Sequence, residues 1–169
     1  MGEAVSLAAV KAYLRIDDGH EDALIERLIA VGEGLCEGFI GQVLVRRTLT
    51  EEMAAPAWWR RLGAGPVVSI GEVAEVTGAG AVALPVSGYA VDIDGGGDGL
   101  VRVTAPGVAR VRVTYVAGIA ADADALPAAL TQGIVRLVAH LFAHRDAADE
   151  AGPPAAVAAL WRPYRRMRL

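Results

Sequence analysis

Cysteine is all but missing from this chain. Cys36 stands alone among 169 residues, so no disulfide can form within the chain and no cysteine cluster can hold zinc. A reducing, cytoplasmic folding compartment is the expectation. Aromatic residues are also scarce, at 5% of the chain, although 54% of it is apolar. A core of small alanine and valine side chains is therefore expected, in a folded protein rather than a disordered one. No apolar run approaches the roughly 18 residues of a membrane span, and the first residues lack the basic and apolar regions of a signal peptide. A net charge of −4 gives no global attraction to nucleic acid or anionic lipid.

Catalytic signatures are missing as well. There is no Gly-x-Ser-x-Gly elbow, no phosphate-binding P-loop and no Gly-x-Gly-x-x-Gly; Gly32, Gly34 and Gly38 are wrongly spaced for the last. His140 and His144 have the i, i+4 spacing of two helical zinc ligands. Between them lies Leu141-Phe-Ala143, with no general-base glutamate and no third ligand nearby, so solvated or interfacial histidines are expected. Asp92-Ile-Asp94-Gly-Gly-Gly-Asp98 resembles a calcium loop only in part. Gly96 and Val103 occupy positions where an EF-hand needs oxygen ligands, so a glycine-rich hairpin is the better reading. Cys36 reads as a small core residue, with no catalytic partner close in sequence. Trp58-Trp59-Arg60-Arg61 follows Pro56 in a loop and reads as a packing or interface anchor.

Periodicity fills in the rest. Ser6 is a plausible N-cap for a short helix carrying Leu7, Val10 and Leu14. Asp18 and Glu21 have capping-box spacing before a helix of about 20 residues. Leu24, Ile25, Leu28, Ile29, Leu35, Phe39 and Ile40 form its apolar face, with Glu26, Arg27, Glu33 and Glu37 opposite. Its three glycines suggest close packing against another backbone. From residue 43 the period becomes that of strands, expected at 43–50, 67–70, 72–77, 82–84, 89–93, 100–104 and 108–116. Glycine and proline at the junctions predict a meandering antiparallel sheet. Leu126-Pro127 opens a further helix with the stripe Leu130, Ile134, Leu137, Val138, Leu141 and Phe142. Pro153-Pro154 starts a short helix through Leu160. The expected class is α+β, with the strands in the middle of the chain.

The last nine residues differ from the body. Four of the chain's 16 Lys+Arg lie there and none of its 20 Asp+Glu. Without helical or strand periodicity, residues 161–169 are expected to form an extended basic tail. Its aromatic rings and planar guanidinium groups suit a groove on a partner.

Taken in order, several segments resemble the head–tail connector proteins of long-tailed bacteriophages, also called adaptors or head-completion proteins. The opening helix Leu7-Ala-Ala-Val-Lys-Ala-Tyr-Leu-Arg-Ile-Asp17 and the later Ala23-Leu-Ile-Glu-Arg-Leu-Ile29 are similar to that family's first half. Tyr115-Val-Ala-Gly118 and the helix that follows Leu126-Pro127 are similar to its second. The ending from Pro154 resembles a branch found in prophages and gene transfer agents. The likeness spans nearly the whole chain, and residues 43–112 are its least specific part.

The resemblance implies a mainly helical adaptor domain over residues 1–160, with a β-rich region at 43–117 inserted between two N-terminal helices and one long C-terminal helix. The function it implies is structural, not enzymatic. A homo-oligomeric ring, usually a dodecamer, would sit below the portal protein at the head–tail junction of a particle assembled in the bacterial cytoplasm. Its other face would meet a tail-side connector, stopper or tail terminator protein. DNA would pass through the channel without sequence-specific binding, and no membrane or cofactor is involved. Portal binding is carried onto Trp161, Arg162, Pro163, Tyr164, Arg165, Arg166, Met167, Arg168 and Leu169. The alternative from another class is a small nucleic-acid-binding protein that uses the same arginines on phosphates, with steeply salt-dependent affinity. A hydrolase or metal enzyme with a site around His140, His144 and Asp92 to Asp98 is a third reading.

Overall fold

The structure, a computed structural model, describes residues 4–144 and 152–166. The chain divides into two compact units: Met1–Val45 with Ala120–Leu169, and Arg46–Ile119. Among the described residues the first unit holds every α-helix and the second every strand. The fold is therefore mixed α+β. Among the described residues the strands lie in the middle of the chain, between α2 and α3, as expected, and form a unit of their own.

In the helical unit, α1 spans Leu7–Leu14 and is capped by the Ser6 hydroxyl, which accepts a hydrogen bond from the Ala9 amide. Helix α2 spans Asp22–Ile40. The capping box expected at Asp18 and Glu21 does not form. Asp18 instead accepts from the His20 amide in a local turn, and the helix starts at Asp22 without a side-chain cap. The buried stripe of α2 is Ile25, Ile29, Gly32, Cys36 and Ile40, one line at helical spacing. Leu35, expected on that face, is exposed. Glu33 and Glu37, expected to face water, instead accept backbone amides, Glu33 from Ala4 and Val5 and Glu37 from Leu44. Each thereby ties down a segment next to the helix.

Helix α3 spans Ala128–Ala143 behind Pro127 and buries Leu130, Ile134, Leu137 and Val138 as its stripe requires. It packs on α2 at Gly32, where an added Cβ would meet Val138 Cγ2 at 3.2 Å and Ile134 Cγ2 at 3.4 Å. Close packing thus accounts for Gly32. It does not account for Gly34 or Gly38, which face open space. Helix α4 spans Ala155–Trp161 and leads into a 3-10 turn, Arg162–Tyr164.

In the other unit, β1 (Arg47–Ala54), β3 (Val67–Thr77), β4 (Gly80–Ala83) and β7 (Arg110–Ala117) form a sheet in the order β1-β7-β3-β4. Strands β2 (Arg60–Arg61), β5 (Tyr89–Ile93) and β6 (Gly99–Val103) form a second, in the order β2-β6-β5. Every pairing is antiparallel. The expected meander is corrected: β1 and β3 both pair with the distant β7. The alternation of β7 explains its central place, because Val111, Val113 and Tyr115 are all buried. The first strand begins at Arg47, not Val43. Val43, Leu44 and Val45 are buried in the helical unit, where Val45 makes a parallel bridge to Ala120. The two strands expected at 67–70 and 72–77 are one strand, β3, bent by register shifts between Val67 and Ser69 and between Ile70 and Glu72.

Candidate functional site

The basic ending begins inside the core. Trp161, the last residue of α4, is fully buried, and its indole nitrogen donates to the Leu130 carbonyl at 3.3 Å. The ring lies against Gly133 of α3, where any Cβ would collide with it. Phe39 of α2 packs at a tilt, with ring centroids 5.8 Å apart. Trp161 was expected in a tail free of the body. It serves instead as the peg that joins α2, α3 and α4, because burying an indole this large outweighs leaving it in water.

Beyond Trp161 the chain turns back along the C-terminal end of α2. The Arg166 amide donates to the Ile40 carbonyl at 2.8 Å, satisfying one of the carbonyls a helix end leaves unpaired. Gln42 Nε2 donates to the Tyr164 carbonyl at 2.6 Å. Gly41, with φ of 69°, ends α2 where a Cβ would lie 3.5 Å from the Arg166 carbonyl oxygen. The Arg165 guanidinium sits 5.8 Å from the Phe39 ring centroid. Arg162, Pro163 and Arg165 are exposed, while Tyr164 and Arg166 are half-buried. The segment through Arg166 is thus a strap with a basic outer face. Met167, Arg168 and Leu169 lie outside the described residues.

The other candidates take structural duties. Asp94 Oδ1 accepts from the Gly96 and Asp98 amides at 2.9 and 2.8 Å, and Asp98 pairs with Arg61 at 3.0 Å. The carboxylates that suggested calcium close the β5–β6 hairpin. His140 and His144 stack with ring centroids 4.4 Å apart, and His144 Nδ1 lies 2.9 Å from the His140 carbonyl oxygen. Among the described residues no group of three His, Cys, Asp or Glu could hold a metal ion. Cys36 is buried, and burial followed by the nearby Glu37 and Glu33 charges pushes its thiol up to about 12. It is a packing residue, inert as a nucleophile near neutral pH.

The Trp58-Trp59 loop is the largest aromatic surface outside the core. Trp58 is 83% exposed and Trp59 47%. The Arg102 guanidinium lies 5.2 Å from the Trp59 ring centroid, and its buried Nε has no hydrogen-bond partner. Register explains the contact. Arg60 is paired with Val101 across β2 and β6, so extending that ladder by one residue brings Trp59 opposite Arg102.

No protein-family model and no curated protein sequence matches the chain. Solved structures do. A chain from the neck of an empty gene transfer agent particle, computed with C6 symmetry, superposes with a TM-score of 0.78 at 25% identity, over 98% of this chain and 91% of that one. A chain from the virion of the native particle gives 0.72 at 24% identity, over 98% and 91%. A chain from the native neck, computed with C12 symmetry, gives 0.71 at 23% identity, over 96% and 89%. All three are chains of a particle. The chain thus shares its fold, over nearly its whole length, with chains of gene transfer agent particles, in agreement with the connector-type resemblance carried by its sequence.

Proposed function

We propose that the chain is a structural head–tail connector, or adaptor, of a gene transfer agent or phage particle. Copies would form a ring below the portal, link capsid to tail and leave a channel through which DNA passes. The observation that carries the reading is the match at a TM-score of 0.78 to a neck chain, which leaves almost none of this chain unaccounted for. Cyclic symmetry of the matched necks supports a ring. The number twelve comes from the family resemblance together with one of those two symmetries.

In this reading the basic strap is the portal-facing element, in a narrower form than the sequence suggested. Trp161 holds the root of the segment in the core, and Arg162, Pro163 and Arg165 are exposed at its surface. The exposed guanidinium groups suit carboxylates or carbonyl oxygens of a partner. Residues 167–169 would extend that contact. A peptide already anchored at one end loses less entropy on docking than a free one, and many copies in one ring raise the effective concentration of each neighbour.

The test is a truncation after Trp161, which keeps the indole in place. The shortened protein is expected to fold and to lose capture by the portal protein of its own gene cluster. A folded truncation that still binds the portal at full strength would remove the strap from the interface. Steeply salt-dependent binding to duplex DNA by the intact chain, with no portal capture, would favour the nucleic-acid reading instead.

A further inference from the structure

The ring reading, on which this inference rests, requires two different surfaces on one chain that fit each other, since a head-to-tail interface repeats around a closed ring. The described residues supply such a pair. One is the Trp58 loop. Trp59 is braced by Arg102, whereas Trp58 projects with 83% of its surface in water, and Arg60, next but one, is exposed. Tryptophan is the side chain most often found to dominate binding when it fills a partner's pocket. The other is an open cleft of about 510 Å³ in the helical unit. Val5, Ala9, Tyr13, Leu126 and Val135 give it apolar walls, and Asp124 gives it an acidic edge.

We infer that Trp58 of one copy docks into the α1–α3 cleft of the next copy, with Arg60 placed to meet Asp124. Charge decides in favour of this occupant. Arg60 is an exposed cation beside the two tryptophans, whereas Arg61 is already paired with Asp98, and Asp124 is exposed at the cleft, in the segment that leads into α3. Size agrees, since the cleft has room for an indole. Tyr13, half exposed in the cleft wall, offers it an edge or face. Knob and hole are different surfaces of the same chain, so the contact can repeat from copy to copy around a ring.

Cross-linking tests this on assembled rings. Trp58→Cys and Ala9→Cys are introduced together, and the protein is mixed with its portal and treated with a short bismaleimide. Both positions are exposed, so neither change removes core packing. Cys36 stays silent because its buried thiol is held up at about 12. The expected result is a ladder of covalent dimers, trimers and higher species from the double variant, and none from either single variant. Since the cysteine replaces the indole, Trp58→Ala alone is measured in parallel and is expected to raise the concentration needed for assembly by more than about tenfold. Rings visible by microscopy but without a ladder, together with unchanged assembly of Trp58→Ala, would overturn the docking and leave the ring reading standing. Attachment of Trp58→Cys to the portal or to a tail component would assign the loop to that partner and overturn it equally. Failure of the unmodified chain to form rings at all would overturn both.

Discussion

Trp161 shows how one side chain can change the reading of a segment. In the sequence it opens a run of arginines and aromatics; in the fold its ring fills a slot made by Leu130, Gly133 and Phe39. Trp161→Ala would empty that slot and is expected to lower the unfolding free energy by about 3–5 kcal/mol. Arg162→Ala, one residue further and exposed, is expected to change it by no more than about 0.5 kcal/mol. Urea unfolding of the two variants measures both; equal effects would contradict the assignment of Trp161 to the core. The clue was present in the sequence as a glycine in the middle of α3. Gly133 sits where the helix would otherwise favour alanine, and the reason becomes visible only when Trp161, 28 positions on, is laid over it. Long-range fits of this kind leave no local period to read.

At the scale of elements, α2 separates what periodicity reveals from what it hides. Its length and its burial of Ile25, Ile29 and Ile40 follow from helical spacing. The choice between Leu35 and Cys36 for the inner stripe does not, because both lie within the width of one apolar face and only the position of α3 decides. The glycines show the same limit. Gly34→Ala and Gly38→Ala place a methyl in open space and are each expected to raise stability by about 0.5–1 kcal/mol in urea unfolding. Gly32→Ala is expected to gain less, or to lose, because its Cβ presses on Val138. Equal gains at all three positions would show that α2 and α3 are not in close contact at Gly32. Strand β7 was legible through its alternation, and the β5–β6 hairpin through its glycines. The pairing of β1 with β7, more than 50 residues apart, was not, since strand order is a tertiary choice that turn residues do not encode.

For the whole molecule, the resemblance seen in the ordered segments and the match to gene transfer agent particle chains point the same way. The candidate contact residues were partly legible. Basic character and position marked the C-terminal segment, but composition alone cannot distinguish an aromatic that anchors the chain to itself from one that anchors it to a partner. Trp161 proved to be the first kind, while Trp58, read in the sequence only as a packing or interface anchor, is left in solvent. The central claim is that copies of this chain form a ring on a portal. Electron microscopy of the chain co-purified with the portal protein of its own gene cluster measures it directly. The account predicts a ring of copies stacked on the narrow end of the portal, and a chain that stays monomeric and apart from the portal would contradict it.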